Sequence, residues 1–180
     1  WMGCHSRASL DYAAERNFHV AQNMDTERTI ADKFAYFRQA WRARGHDGPM
    51  PHQLLVRHVH VAETDAQARA EAEPYMREGL GGAGGVARAK SLRPEEQTPE
   101  MVEISRLYVE TTTSYDVWID EGLALIGSPR TVAQRLHEQQ ELTGADVCCT
   151  QHSIASMPAE LARKSMRLFG EKVIPEFTAA

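Results

Sequence analysis

Short apolar segments alternate with longer helical patterns along most of this chain, and that alternation is the strongest constraint on its fold. The clearest helical pattern covers residues 26–44, and the clearest strand covers residues 53–62. The helical pattern repeats large apolar residues at helical spacing, namely Ile30, Phe34, Phe37 and Trp41. Strands that are separated by helices pair in parallel, so the sequence predicts an α/β fold. The pattern alone leaves open a doubly wound sheet or part of a (β/α)8 barrel.

The remaining elements follow the same alternation. We predict strands at 1–4, 18–22, 124–126 and 147–150, and helices at 7–16, 64–78 and 128–143, with a last helix from about 158. Pro74 should kink or break the third helix, because proline lacks the N–H that a helix interior needs. Residues 79–120 are rich in glycine and proline, so we expect an irregular, mobile insertion with a helix near 100–110.

The composition narrows the class of protein. The 180 residues are 42% hydrophobic and 25% charged, with a net charge of −5, which argues against nucleic acid or a membrane as a partner. No apolar run approaches a membrane span and no signal peptide is evident, so we expect a cytoplasmic protein. Cys4, Cys148 and Cys149 are too few for a disulfide scaffold, and the adjacent pair predicts buried thiols.

The first residues of the chain predict an anion site. An apolar run from Trp1 to Cys4 ends at His5, and a helical pattern with Ser6 and Ser9 in its first turn follows at once. Backbone N–H groups, the helix dipole and two hydroxyls then converge on one point, which suits a phosphate. Serines at this position also cap helices without binding anything, so both hypotheses stay open.

Histidines give a second set of candidates. His58 and His60 share one face of the predicted strand, and His152 follows the last strand. The three could ligate zinc, or they could line a polar pocket wall. Gln151 and His152 stand where a parallel strand ends, which is the usual position of a binding-pocket rim.

Four segments, in order, carry a resemblance to a known family. They are SRASLDYAAERNF, HVHVAETDAQARAEA, IGSPRTVAQRL and VCCTQHSIASMPAELARKSMRLFGEKVIPEF. Together they resemble the C-terminal half of the bacterial luciferase-like flavin-dependent monooxygenases. The resemblance implies a (β/α)8 TIM barrel, with residues 1–180 as a single domain that supplies about strands 5–8 and their helices. Residues 79–120 match the family's mobile loop, which closes over the flavin.

The resemblance also implies a function. It implies an FMN-dependent monooxygenase, an oxidoreductase that uses reduced FMN and O2 to oxygenate a small organic substrate, with reduced flavin supplied by a flavin reductase. A deazaflavin is the alternative cofactor. Ser6 and Ser9 match the hydroxyl residues that hold the flavin phosphate, and His5 and Arg7 flank them, contributing mainly backbone. This chain has His5 where the luciferase has an acidic residue.

The resemblance places the family's catalytic histidine in its other half, so the catalytic residues of this chain stay unknown. The chain opens inside a predicted strand at Trp1, which we interpret as a truncation. We expect this half to be inactive alone, because half of the active-site ring is absent. A half-barrel also leaves open sheet edges, so we expect it to aggregate, to form a homo-oligomer or to pair with the other half. The alternatives are a metal-dependent hydrolase using His58, His60 and His152, or a non-catalytic flavin-binding relative.

Overall fold

The computed structural model describes residues 1–23, 25–79, 102, 106, 110 and 114–178. Within them the strands are β1 (Met2–Gly3), β2 (Val20–Gln22), β3 (Gln53–Val61), β4 (Ala124–Gly127) and β5 (Val147–Gln151). The helices are α1 (Arg7–Glu15), α2 (Glu27–Ala43), α3 (Asp65–Gly79), α4 (Asp116–Asp120), α5 (Pro129–Thr143), α6 (Ala159–Leu168) and α7 (Pro175–Thr178). A π-helix, Phe169–Val173, lies between α6 and α7.

The strands form a parallel sheet. Met2 of β1 lies opposite Val20 of β2, and Val20 lies opposite Gln53 of β3. Further along β3, His58 lies opposite Ala124 of β4, also in parallel, and β5 pairs with β3 as well. Parallel neighbours need a crossover connection, and the intervening helices supply it. The predicted α/β fold with a parallel sheet is therefore confirmed.

The described residues group into two compact units. The first consists of Trp1–Arg57 and His137–Thr150, and the second of His58–Leu136 and Gln151–Ala180. The expectation of a single domain over residues 1–180 stays a prediction.

In the first unit the apolar faces of α1 and α2 bury against the strands. The core includes Cys4, Leu10, Val20, Ile30, Phe34, Phe37, Trp41 and Leu55. The aromatic stripe predicted on α2 therefore packs in the core, as its helical spacing indicated.

The second unit has an apolar cluster of its own among the described residues. Its members are Val59, Val61, Leu125, Val132, Ala133, Leu136, Leu168 and Val173, with Phe169 packed against them. The end of β3 thus packs among side chains from β4, α5, α6 and the π-helix.

Local sequence explains where helices start and stop. The Thr26 hydroxyl accepts a hydrogen bond from the Thr29 N–H at 3.1 Å, so it caps α2, and Gly45 follows the helix with a φ of +65°. Ser128 caps α5 in the same way, because its hydroxyl accepts from the Thr131 N–H at 3.4 Å. The predicted start of α5 is confirmed.

Two expectations are corrected. Helix α3 is not broken at Pro74, because the buried face of Ala68, Ala72 and Met76 offsets the lost hydrogen bond, and a kink there stays a prediction. Cys148 and Cys149 are exposed, not buried. An apolar run predicts a strand, but it does not predict which layer covers that strand.

The predicted insertion at 79–120 falls mostly outside the described residues. Of that range, the structure describes 79, 102, 106, 110 and 114–120, and its last part includes α4. Among the residues that are described, no helix has the length and apolar character that crossing a membrane requires.

Candidate functional site

The predicted anion site lies where β1 gives way to α1. Ser6 is the N-cap of α1, with an extended backbone, and forms a capping box with Ser9. The Ser9 N–H donates to Ser6 Oγ at 3.3 Å, and the Ser6 N–H donates to Ser9 Oγ at 3.1 Å. The two serines that the sequence singled out are therefore brought together, and both cap the helix.

The two hydroxyl protons are not equally committed. Ser9 Oγ donates to the Ser6 carbonyl at 2.7 Å, a short bond. Ser6 Oγ donates to Ser9 Oγ at 3.3 Å, which is long for an O–H···O hydrogen bond. The Ser6 hydroxyl can consequently turn to another acceptor at a smaller cost than the Ser9 hydroxyl. The first-turn N–H groups of Arg7 and Ala8 have no intrahelical partner, so this end offers several donors to an anion.

Gln22, the last residue of β2, contacts the segment that precedes this helix start. Its side chain is 0% exposed, and its Nε2 donates to the carbonyl of Cys4. Its Oε1 has no hydrogen-bond partner. An unsatisfied buried oxygen costs about 1–3 kcal/mol, so a donor from a bound molecule would be stabilising here. Gln22 was not predicted as a site residue, although a polar residue at the end of an apolar strand could have indicated it.

A buried ion pair lies behind His5. Asp25 and Lys33 are 2% and 8% exposed, and Lys33 Nζ lies 2.8 Å from Asp25 Oδ2. His5 Nδ1 lies 3.9 Å from the same carboxylate oxygen. Burial alone would raise the pKa of Asp25, but hydrogen bonds to His5 and Lys33 hold it below its usual range. This pair was not predicted from the sequence. The signal for it is a lysine next to Phe34, which belongs to the apolar stripe of α2.

The Arg7 side chain turns toward α2. Its guanidinium lies over the Tyr36 ring, 5.0 Å from the centroid, and the Tyr36 hydroxyl donates to Asp11 at 2.9 Å. This placement is compatible with the expectation that Arg7 contributes mainly its backbone to the site.

The second unit contains a histidine cluster at the ends of β3 and β5. His60 Nε2 lies 2.9 Å from Glu71 Oε2, and His152 Nδ1 lies 2.7 Å from Ser165 Oγ. Ser165 Oγ also accepts from the Val61 N–H at 2.9 Å, so its proton is available to donate to His152. Burial lowers the pKa of His152 to about 4, with a further contribution from His60, which keeps the ring neutral at pH 7.

The residues of the predicted pocket rim differ in exposure. Gln151 is exposed at the end of β5, whereas His152 is 6% exposed and packs edge-to-face on Phe169. A cavity of about 150 Å³ lies elsewhere in the second unit, along β4, and is lined by Asp65, Arg69 and Arg135 among others.

The histidines proposed as metal ligands are not arranged as a metal site. His60 and His152 direct ring nitrogens at Glu71 and Ser165, and His58 lies edge-to-face with Trp118, 6.5 Å between centroids. Within the described part of the chain, no group of three His, Cys, Asp or Glu residues could hold a metal ion.

Comparison with known proteins now assigns the family. Residues 1–146 match the family model described as luciferase-like monooxygenase. This match covers well over half of the chain, so the chain belongs to the luciferase-like monooxygenase family. Among curated protein sequences, none matches it.

Solved structures share its fold. Monooxygenase RslO1 from Streptomyces bottropensis is 19% identical, with a TM-score of 0.67 over 97% of this chain and 46% of that one. The oxygenating constituent of 3,6-diketocamphane monooxygenase from Pseudomonas putida, in complex with FMN, is 19% identical, with a TM-score of 0.62 over 96% and 46%. The coenzyme F420 dependent tetrahydromethanopterin reductase from Methanopyrus kandleri is 17% identical, with a TM-score of 0.55 over 98% and 50%.

These similarities confirm the expected luciferase-like TIM-barrel fold. The chain spans about half the length of each of these relatives. At such identities the likeness concerns the fold alone.

Proposed function

We propose that this chain supplies the cofactor-phosphate site of a flavin-dependent monooxygenase that uses reduced FMN and O2 to oxygenate a small organic substrate. Membership of the luciferase-like monooxygenase family supports the reaction class. The observation that carries the cofactor assignment is the start of α1, where Ser6 and Ser9 form a capping box two residues after Cys4, whose carbonyl accepts a hydrogen bond from buried Gln22.

In this proposal the start of α1 binds the phosphate. The N–H groups of Arg7 and Ala8 and the Ser6 hydroxyl donate to its oxygens, and the positive end of the helix dipole adds to the attraction. Reduced flavin, when bound, supplies the two electrons that place one oxygen atom of O2 in the substrate and convert the other to water. The unpartnered oxygen of Gln22 accepts a hydrogen bond from a polar group of the ligand.

His152 and Gln151 form part of the substrate-pocket rim in this proposal. A neutral His152, with Nδ1 held by Ser165, carries its remaining ring proton on Nε2 and can donate it to a polar substrate atom. Gln151, being exposed, can contact a substrate from the end of β5. Gln151 ends β5 and His152 follows it, at the carboxyl end of a strand, where barrel enzymes place their chemistry.

The cofactor could also be a deazaflavin, because one structural relative is a coenzyme F420 dependent enzyme. We propose FMN because a terminal phosphate carries more negative charge than a phosphodiester, and a helix start with several free donors suits it. We further propose that a separate flavin reductase supplies the reduced cofactor, that the protein works in the cytoplasm, and that it functions as a homo-oligomer or paired with the rest of a barrel.

The test is a titration of the purified protein with FMN and with riboflavin, in oxidised and reduced form, followed by flavin fluorescence and calorimetry. Ser6→Ala should weaken FMN binding about tenfold, the effect of losing one hydrogen bond to a charged group, and leave riboflavin binding unchanged. Ser128→Ala is the matched control, because it removes a serine cap from α5 and should leave FMN binding unchanged.

Two outcomes would contradict the proposal. One is a protein that binds no flavin at all. The other is equal FMN affinity in the wild-type and Ser6→Ala proteins.

A further inference from the structure

Ser165 of α6 connects the end of β3 to His152 through one hydroxyl group. Its side chain is 0% exposed, and its Oγ accepts a hydrogen bond from the Val61 N–H at 2.9 Å. The same oxygen lies 2.7 Å from His152 Nδ1. A single buried oxygen therefore holds the His152 ring beside β3.

The bond from Val61 decides which way the proton of Ser165 points. A backbone N–H can only donate, so Ser165 Oγ is the acceptor in that bond. A buried hydroxyl proton is costly to leave without an acceptor, and His152 Nδ1 is an acceptor within reach. Donation by Ser165 requires a lone pair on Nδ1, so the proton of the neutral ring is on Nε2.

Phe169 restrains the same ring from a second side. It is the first residue of the π-helix, about one helical turn after Ser165, and its carbonyl accepts from the Ile174 N–H at 3.0 Å. The Phe169 ring packs edge-to-face on His152, with 5.2 Å between centroids and 69° between planes. A hydrogen bond at Nδ1 and an aromatic contact together restrict rotation of the imidazole, so the direction of its Nε2–H is fixed.

The neighbouring His60 has the opposite arrangement. Its Nε2 lies 2.9 Å from the carboxylate of Glu71, which can only accept, so Nε2 carries the proton and Nδ1 has the lone pair. This Nδ1 is buried and has no hydrogen-bond partner within the part of the chain that the structure describes. The proton on His152 Nε2 is therefore not donated to His60, and a ligand can accept it.

We propose that Ser165 and Phe169 are positioning residues that fix His152 as a hydrogen-bond donor, so that the site selects a substrate with an uncharged oxygen acceptor such as a carbonyl. This inference rests on the proposed function and deepens it by naming the substrate class. His152 lies between exposed Gln151 and Ser153, so it borders the protein surface. A neutral donor gives no hydrogen bond to an ammonium group, and it offers a carboxylate no opposite charge.

Nitrogen NMR of the His152 ring tests this arrangement. At pH 7 the wild-type protein should have a protonated Nε2 and a Nδ1 that accepts a hydrogen bond. In Ser165→Ala the ring should exchange between both tautomers, and Ser165→Thr, which keeps the hydroxyl, should restore the wild-type spectrum. Thr143→Val is the matched control, because it also removes a buried hydroxyl that bridges two backbone groups, and it should leave the His152 signals unchanged.

Three small molecules of similar shape test the selection. Acetophenone presents a carbonyl oxygen, isopropenylbenzene has a methylene group in its place, and benzylamine presents an ammonium group. Acetophenone should shift the His152 Nε2–H signal and bind about fivefold tighter than isopropenylbenzene, as expected for one added hydrogen bond. Benzylamine should leave that signal in place. Ser165→Ala and Phe169→Leu should lose most of the preference for acetophenone, and Ser165→Thr should keep it.

The outcomes separate this inference from the proposed function. A proton on His152 Nδ1, equal affinity for acetophenone and isopropenylbenzene, or no binding of either compound overturns the inference, while the flavin-phosphate site stands on its own titration. If the wild-type protein binds no flavin, the proposed function is overturned, and this inference with it. Loss of the acetophenone preference in Ser165→Ala, with recovery in Ser165→Thr, supports the inference.

Discussion

Helices α1 and α5 begin with nearly the same motif, yet their surroundings differ. Ser6 precedes Ser9 by three residues at the start of α1, and Ser128 precedes Thr131 by three at the start of α5. At α5 the Ser128 N–H donates to the carboxylate of Asp65 at 2.6 Å. At α1 the Ser6 N–H donates to a neutral hydroxyl, that of Ser9.

The difference shows that a capping motif alone does not make an anion site. In α5 the protein's own carboxylate already takes the place of an anion, and the hydrogen bond from the Ser128 backbone lowers the pKa of Asp65. In α1 the acid that lies near, Asp25, is paired with Lys33. We therefore expect α1, and not α5, to accept a phosphate from outside, and the following experiments test that contrast.

The largest effect should come from breaking the ion pair behind α1. Lys33→Met leaves the buried Asp25 carboxylate with only the more distant His5 as a partner, and we expect the free energy of unfolding to fall by about 3 kcal/mol in urea denaturation. The double variant Lys33→Met/Asp25→Asn should recover much of this loss, because no buried charge remains. Lys164→Met, which removes an exposed partner of Glu71, is the control and should cost well under 1 kcal/mol. If Lys33→Met and Lys164→Met lower the free energy of unfolding by similar amounts, the buried Asp25–Lys33 pair does not stabilise the region behind α1.

The second effect concerns pH and the second unit. The pKa of His152 is lowered to about 4, so the unfolded chain binds more protons than the folded one between about pH 6.5 and 4. The contribution of neutral His152 to the free energy of unfolding should be fully present above pH 6.5. The free energy of unfolding should then fall by about 3 kcal/mol as the pH drops to 4.

Urea denaturation across this range measures the slope, and His152→Gln should flatten it. Asp25 acts in a lower window. Its folded pKa is depressed, so its contribution is present above the ordinary carboxylate range and is lost only as the pH falls through the folded value. A wild-type protein of constant stability from pH 7 to 4 would contradict the placement of His152.

FMN should stabilise the protein through α1. At a free FMN concentration 100 times the dissociation constant, the free energy of unfolding should rise by about 2.7 kcal/mol. At the same FMN concentration, the free energy of unfolding should rise less for Ser6→Ala than for the wild-type protein. For Ser128→Ala it should rise as much as for the wild-type protein. If thermal or urea denaturation shows that FMN stabilises Ser128→Ala less than it stabilises Ser6→Ala, α1 is not the helix start that binds the phosphate.

The smallest effect should come from replacing Asp65, whose carboxylate lies at the start of α5. Asp65→Ala removes the acceptor of the Ser128 N–H, and we expect a loss of about 1 kcal/mol in stability. Because the folded pKa of Asp65 is lowered, the wild-type advantage should be present at pH 7 and should shrink as the pH falls below the usual carboxylate range. Equal stability of both proteins at pH 7 would mean that Asp65 is not a cap of α5.

The sequence predicted the local features well, because these depend on neighbours along the chain. The apolar stripe of α2, the alternating faces of β3, and the caps Ser6 and Ser128 were all found from spacing. The break that it allowed at Pro74 does not occur, because the buried face of α3 outweighs a local penalty, and it was wrong at Cys148, whose exposure depends on what covers β5. The candidate site was half found: Ser6 and Ser9 from their motif, but not Gln22, Asp25 or Lys33.

The order of strands and helices, the α/β class and the hydroxyl-bearing helix start were determined by sequence alone, since periodicity and capping act over a few residues. The tertiary structure decided which of two similar helix starts is already satisfied by a carboxylate. It also decided that a lysine within an apolar stripe finds a buried aspartate. Charge pairing and burial depend on residues that are distant in sequence and adjacent in space, and no spacing rule along the chain contains that information.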